Sequence, residues 1–233
     1  MREARSIRVH EPAILSLGGA DFVLDPAGAF FWVQESLLIV SDLHLEKGSS
    51  YAARGVFLPP YDTAATLLRL AALIALYAPR RVLALGDSFH DTGANARLAH
   101  VDRASLHDLQ AGREWIWIAG NHDPTIPPDL GGDVLPELAI GAIIFRHEPR
   151  HGERGHEIAG HLHPAARVIG SGSRRRCFVS DGTRCVMPAF GAFAGGLNWR
   201  DAAFAPLFPA DRFAHVMGRD RVYKVAPEQC WCD

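Results

Sequence analysis

The sequence predicts an α/β protein of four layers, α/β/β/α, in which two sheets pack face to face with helices outside. Three observations lead there. Between residues 37 and 119, short apolar runs alternate with helix-like stretches, which implies crossover connections on a largely parallel sheet. After residue 138 the apolar runs shorten and only loops separate them, which predicts a second, more antiparallel sheet. The 233 residues, 48% apolar and 21% charged, suffice for one sizeable core in a single domain spanning residues 1–233.

Along the chain, residues 14–17, 22–24 and 30–33 are β-like pieces broken by glycine and proline, as in hairpins. Leu37–Val40 is a buried strand, Asp62–Tyr77 a helix and 82–85 a second buried strand. Residues 94–110 read as one helix, and 115–119 as the strand after it. Runs at 142–145, 157–159, 177–179, 184–187 and 221–225 supply the second sheet.

Composition narrows the function. A formal net charge of -2 fits neither a strongly basic nucleic-acid binder nor an acidic tail. Lys47 and Lys224 are the only lysines, and arginine abundance beside many alanines fits a GC-rich coding bias as readily as a DNA surface. Residues 1–12 lack the apolar core of a secretory signal, and the apolar stretch 67–78 is too short to span a bilayer and contains Arg69. A cytoplasmic protein with no membrane association is expected. Four cysteines are too few for a disulfide framework, and Cys230 and Cys232 give only two thiols for a metal.

Functional residues of open α/β sheets gather at the carboxyl ends of strands. Here Asp42 and His44 follow the first buried strand, Gly86-Asp87 the second and Gly120-Asn121-His122-Asp123 the third. His147 follows the run 142–145, and Gly160-His161-Leu162-His163 follows 157–159. Any one of these alone reads as a cap or turn, but five strand ends in succession do not. The period of two in an extended backbone turns Asp42 and His44 to one side and Leu43 to the core. The three glycines leave room at a crowded centre. Carboxylate, amide and imidazole donors without thiolate suit divalent Mn, Fe, Zn or Mg, and seven donors exceed what one ion needs. A two-metal centre fits that count.

The ordered set Asp-x-His, Gly-Asp, Gly-Asn-His-Asp, a lone His and Gly-His-x-His resembles the calcineurin-like metallophosphoesterases over residues 37 to 163. The resemblance implies one metal on Asp42, His44, Asp87 and His163, and another on Asp87, Asn121, His147 and His161. It implies that His122 is a catalytic histidine outside the metal shell and that Asp123 orients it. The second motif departs from the common pattern, reading Gly-Asp-Ser-Phe-His-Asp, so His90 and Asp91 are expected either to support ligands or to pack beneath the site.

Two further stretches, 47–63 and 187–197, with Glu46-Lys47-Gly48 after the first motif, resemble the bacterial DNA ligase-associated metallophosphoesterases. That likeness implies a manganese-dependent DNA endonuclease, with iron, zinc or magnesium as alternative ions. Its substrate would be single-stranded or looped DNA, and its partners in repair a ligase, a helicase and an exonuclease. Between residues 146 and 184 eight arginines face four acids, and Arg174, Arg175 and Arg176 read as a hairpin tip for phosphates or as a solvated loop. Arg54 is a further phosphate candidate, and Trp32, Trp115, Trp117 and Trp199 are candidates for base stacking or for the core. The competing readings are a phosphoesterase for nucleotides or cyclic nucleotides, and a non-catalytic scaffold of the same fold.

Overall fold

The computed structural model describes residues 11–152, 155–208 and 211–231. Among them, seven strands form a first sheet in chain order: β1 (Ala13–Leu17), β2 (Ala20–Asp25), β3 (Ala29–Trp32), β4 (Leu37–Val40), β5 (Arg81–Leu85), β6 (Glu114–Ile118) and β7 (Asp133–Leu135). β1 to β4 pair antiparallel, and β4 to β7 pair parallel. Crossovers join the parallel strands. α1 (Lys47–Ala53) and α2 (Asp62–Tyr77) lie between β4 and β5; α3 (Ala94–Arg97) and α4 (His100–Gln110) lie between β5 and β6.

The strict alternation of a strand explains why these runs are apolar throughout. Leu37, Ile39, Leu83, Leu85, Ile116 and Ile118 face the core between the sheets, where Phe145, Ile158 and Phe178 meet them. Leu38, Val40, Val82, Ala84, Trp115 and Trp117 face the other way, against Leu67, Leu70, Leu73 and Ile74 of α2. Each large side chain so buried contributes about 1.5–3 kcal/mol.

The helix expected over 94–110 is two helices. Leu98 and Ala99 take extended conformations between α3 and α4, and Leu98 buries its side chain in the helix-side core. Apolar periodicity reads such an anchor as one more helical position.

The second sheet contains β8 (Glu137–Ile140), β9 (Ile143–Arg146), β10 (His156–Ala159), β11 (Pro164–Ala166), β12 (Arg175–Ser180), β13 (Arg184–Val186), β14 (Leu197–Asn198), β15 (Phe213–Met217) and β16 (Val222–Val225). Its order is β14-β11-β12-β13-β10-β9-β8, with β15 pairing β12 and β16. It is mixed: β10 runs parallel to β9 and β13, and β11 to β14, while the other pairs are antiparallel. Its outer face is covered by Trp199, Phe204, Leu207 and Phe208, on loop and a 3₁₀ turn (Ala202–Phe204). No helix among the described residues is long and apolar enough to cross a membrane. The expectation for the N-terminus falls mostly on residues 1–10, which lie outside the described residues, as does Cys232.

Candidate metal centre

The five strand ends converge, but by a different local geometry from the one expected. Asp42 and His44 are not in extended backbone; their φ values are 53° and 44°, in the left-handed region. Asp87, His161 and His163 share that conformation, at 47°, 69° and 46°. For residues with a Cβ this costs on the order of 1–2 kcal/mol each. Backbone bonds hold the strain in place. Asp42 N–H donates to the Gly86 carbonyl at 3.2 Å and His44 N–H to the Asp87 carbonyl at 2.9 Å, while Asp42's own carbonyl accepts from Gly191 N–H at 3.0 Å. Leu43 is buried as expected, through this turn rather than strand alternation.

Crowding fixes the glycines. A Cβ on Gly86 would stand 2.5 Å from the His147 ring, and one on Gly160 would stand 2.5 Å from Asp42 Oδ2. Only Gly86 of these two also needs positive φ, at 72°.

The seven donors form two nests. In one, His163 Nε2 lies 3.1 Å from Asp42 Oδ1 and 3.2 Å from His44 Nε2. In the other, His147 Nε2 lies 2.9 Å from Asn121 Oδ1 and 3.2 Å from His161 Nδ1, and Asn121 Oδ1 is 3.0 Å from His161 Nδ1. Asp87 Oδ2 stands between them, 3.3 Å from His147 Nε2 and 4.0 Å from His44 Nε2.

These residues fit divalent ions. His147 donates Nδ1–H to the Leu85 carbonyl at 2.9 Å, so in a neutral ring the Nε2 lone pair faces only further acceptors. Donors bound about 2.1 Å from one ion and near 90° apart stand about 3 Å from each other. That is the spacing in both nests.

The electrostatics point the same way. Burial opposes charge on His147, yet the Asp87 hydrogen bond and the Asp42 and Asp87 carboxylates hold its pKa up to about 9, so the field there calls for a cation. Burial presses His44 down to about 3 and lowers His161 as well, which leaves neutral rings fit to ligate. Burial would raise Asp42 and Asp87, but hydrogen bonds and charge from His163 and His147 outweigh it, taking Asp87 down to about 2.

His122 borders the nests with its side chain 40% exposed, and its Nε2 lies 3.9 Å from Asp87 Oδ2. Its Nδ1–H donates to the His90 carbonyl at 2.8 Å, so His90 rather than Asp123 orients it. Asp123 is turned inward instead, accepting from Phe89 N–H at 3.0 Å and Gly120 N–H at 3.2 Å. Burial pushes its carboxyl up to about 7, the Phe89 bond opposing and Asp87 adding to the rise. The His90 ring stacks on His122 with centroids 5.3 Å apart and meets the His44 ring edge-on at 5.5 Å, close enough for His44, His90 and His122 to face one another. Asp91 holds Arg97 in a two-pronged pair at 2.7 and 2.8 Å and supports no ligand.

The arginine expectations change most. Arg176 donates to the carbonyls of Phe190, Gly191 and Ala192, and so fixes a loop instead of reaching solvent. Arg174 donates to the Gly196 carbonyl, and Arg175 is exposed on β12. Residues 171–173 lie at the end of the β11–β12 hairpin remote from His163, because Ala165 pairs with Arg176 and Ala166 with Arg175. Arg146 and Arg184 are buried on Glu157, and Arg150, though exposed, reaches Glu137 at 3.3 Å; Arg167, Arg174 and Arg175 remain on the surface, and Arg154 lies outside the described residues. All four tryptophans proposed for stacking, Trp32, Trp115, Trp117 and Trp199, are buried. Arg54 is exposed, with Nη2 3.3 Å from Ser50 Oγ.

Three supports escaped the sequence reading. Ser41 donates to Asp42 Oδ2 at 2.5 Å. Phe190 and Gly191 donate backbone N–H groups to the carbonyls of Ser41 and Asp42. Arg69 donates to the Phe190 carbonyl from α2. Adjacency to the ligands could have found Ser41; the 187–197 stretch was marked only by its family likeness, which does not say that it touches Ser41 and Asp42. Beside the second nest opens a cavity of about 590 Å³, lined in part by Asn121, Glu137, His147, Glu148, Arg150 and His151.

The profile of the calcineurin-like phosphoesterases matches residues 36–184. Among solved structures, the nuclease MPE from Pseudomonas putida superposes with a TM-score of 0.74 at 28% identity, covering 92% of this chain and all of that one. Yfce, a phosphoesterase from E. coli, gives a TM-score of 0.41 at 13% identity, over 82% of this chain and 98% of its own. Comparison with curated proteins finds no match.

Proposed function

The chain belongs to the calcineurin-like phosphoesterase family, a metal-dependent hydrolase by that membership, and from this premise we propose that it cleaves phosphodiester bonds within DNA. The observation that carries the reading is the pair of donor nests sharing Asp87, with a half-exposed histidine beside them. Likeness to a protein described as a nuclease supports DNA as the substrate.

Asp42, His44, Asp87 and His163 would hold one ion, and Asp87, Asn121, His147 and His161 the other, with manganese as the preferred metal. When bound, such ions polarise phosphoryl oxygens and lower the pKa of a water toward neutrality. The chain's residues do the rest. Left-handed turns and the backbone bonds to Gly86, Asp87 and Gly191 keep the donors preorganised, so little rearrangement accompanies reaction. The His90 carbonyl holds His122 by Nδ1–H and, in the protonated ring, leaves Nε2–H to give its proton to the departing oxygen, the ring returning to neutral imidazole. An unactivated alkoxide needs that proton most. Asp123 braces the turn that carries His122 through Gly120 and Phe89.

Single-stranded or looped DNA is the proposed form, and repair beside a ligase, a helicase and an exonuclease the proposed setting, in the cytoplasm and as one domain over residues 1–233. The second reading, hydrolysis of nucleotides or cyclic nucleotides, takes support from the 590 Å³ cavity, which would admit one nucleotide. Circular single-stranded DNA with Mn²⁺ separates the two, because a circle offers no ends. Linear products are expected; intact circles beside rapid nucleotide hydrolysis would reverse the choice.

A further inference from the structure

Large exposed aromatics gather on one loop. Phe57 is 87% exposed and Tyr61 69%, with Val56 at 51%, all on the loop 54–61 between α1 and α2. Isolated apolar groups on a surface need no explanation, but these follow one another on the loop that continues from α1. The ring of Tyr51 lies 5.8 Å from that of His90, which itself stacks on His122.

Charge on this segment is one-sided. Lys47, Tyr51 and Arg54 recur at spacings of four and three, so they share one face of α1. Lys47 Nζ lies 6.0 Å from the Tyr51 ring, and the positive charges of Lys47 and Arg54 both bear on His90. The acids of the segment are turned inward. Glu46 accepts from Thr63 Oγ1 at 2.9 Å and Ser49 Oγ at 2.6 Å, and Asp62 accepts from Gly48 N–H at 2.9 Å; both are buried. Asp91 is held by Arg97. The outward surface therefore combines cations with aromatic faces.

We infer that α1 and the loop 54–61 form the platform for an unpaired DNA strand, with bases stacked on Tyr51, Phe57 and Tyr61 and phosphates met by Lys47 and Arg54. The inference rests on DNA being the substrate and supplies the reason for preferring single strands. A duplex hides its base faces, whereas unpaired bases of any sequence can stack on an aromatic ring. Arg54 thereby gains a role that Arg176, committed to loop carbonyls, does not have.

The test is fluorescence anisotropy of labelled thymidine oligomers, normal and abasic, against the parental chain and Phe57→Ala, Tyr61→Ala and their combination. Both residues are exposed, so folding is not at stake, and thermal melting confirms it. The double variant is expected to bind the normal oligomer at least tenfold more weakly, because its bases lose their stacking partners, and the abasic oligomer as the parent does. Tyr51→Phe should retain binding that Tyr51→Ala loses. Equal loss on both oligomers, or no loss, overturns the platform. So does unchanged oligomer binding with loss of a dimer in sedimentation, which would assign the surface to a second copy. If the parental chain cuts circular DNA while the variants bind it normally, only the platform falls; if the parent leaves circles intact, the DNA reading falls with it.

Discussion

Gly160→Ala should disable the site without removing any of the donor residues. Gly160 lies between β10 and His161, and its backbone N–H donates to the His147 carbonyl at 2.9 Å. A Cβ there would overlap Ser41 Oγ and stand 2.5 Å from Asp42 Oδ2, where ordinary contact begins at 3.4 Å. The Asp42 carboxylate must then retreat by about 0.9 Å and Ser41 by more. Neither can do so freely, since Ser41 and Asp42 are fully buried and bonded to each other. Displacements near 1 Å cost catalysis about a hundredfold, and overpacking of this kind costs about 1–3 kcal/mol of stability. The assays are hydrolysis of an aryl phosphodiester with Mn²⁺, calorimetric metal binding and thermal melting. A hundredfold fall in rate, weaker metal binding at the Asp42 nest and a small drop in Tm are expected. Ser41→Ala in the same chain removes the worse overlap and should recover part of the rate. Parental rate and affinity in Gly160→Ala would refute the reasoning.

His122→Ala should bind metal as the parent does yet lose roughly a hundredfold or more on DNA, and lose less on an aryl diester whose leaving group needs no proton; DNA cleavage at the parental rate would remove its role. Glu157→Ala leaves the buried guanidiniums of Arg146 and Arg184, now 3.2 and 2.6 Å from its oxygens, without that carboxylate; a loss of about 3–5 kcal/mol in denaturant unfolding is expected, and less than 1 kcal/mol would contradict it. His215, on β15 opposite Phe178 and Lys224, is pressed down to about 4 by burial and then by the Lys224 charge. Its folded pKa lies below the unfolded one near 6.5, so its contribution is full above pH 6.5 and lost as pH falls through 4, amounting to up to about 3 kcal/mol. His215→Gln should flatten that acid limb in urea unfolding; an unchanged limb would assign it to other groups.

The ligands were legible in the sequence because each follows a short, largely apolar run, and such runs mark the central strands whose ends meet. Leu37–Val40 and Asp62–Tyr77 agree with the structure residue for residue. The backbone at Asp42 was misread, since alternation presumes an extended chain and cannot register a left-handed turn held by Gly86 and Gly191 from elsewhere. Short or mixed elements such as α1, β11 and β14 carry too few residues for a period to show. The arginines failed for a related reason. Sequence counts charges without their partners, and Glu157 and the 190–192 carbonyls are reached only through the sheet.

The most direct test of the two-nest centre is calorimetric titration of the metal-free chain with Mn²⁺, beside Asp87→Ala and His163→Ala. Two ions per chain are predicted for the parent, one tight ion at the His147 nest for His163→Ala, and loss of tight binding at both nests for Asp87→Ala. A single ion in the parent, or two tight ions retained without Asp87, would contradict the shared centre.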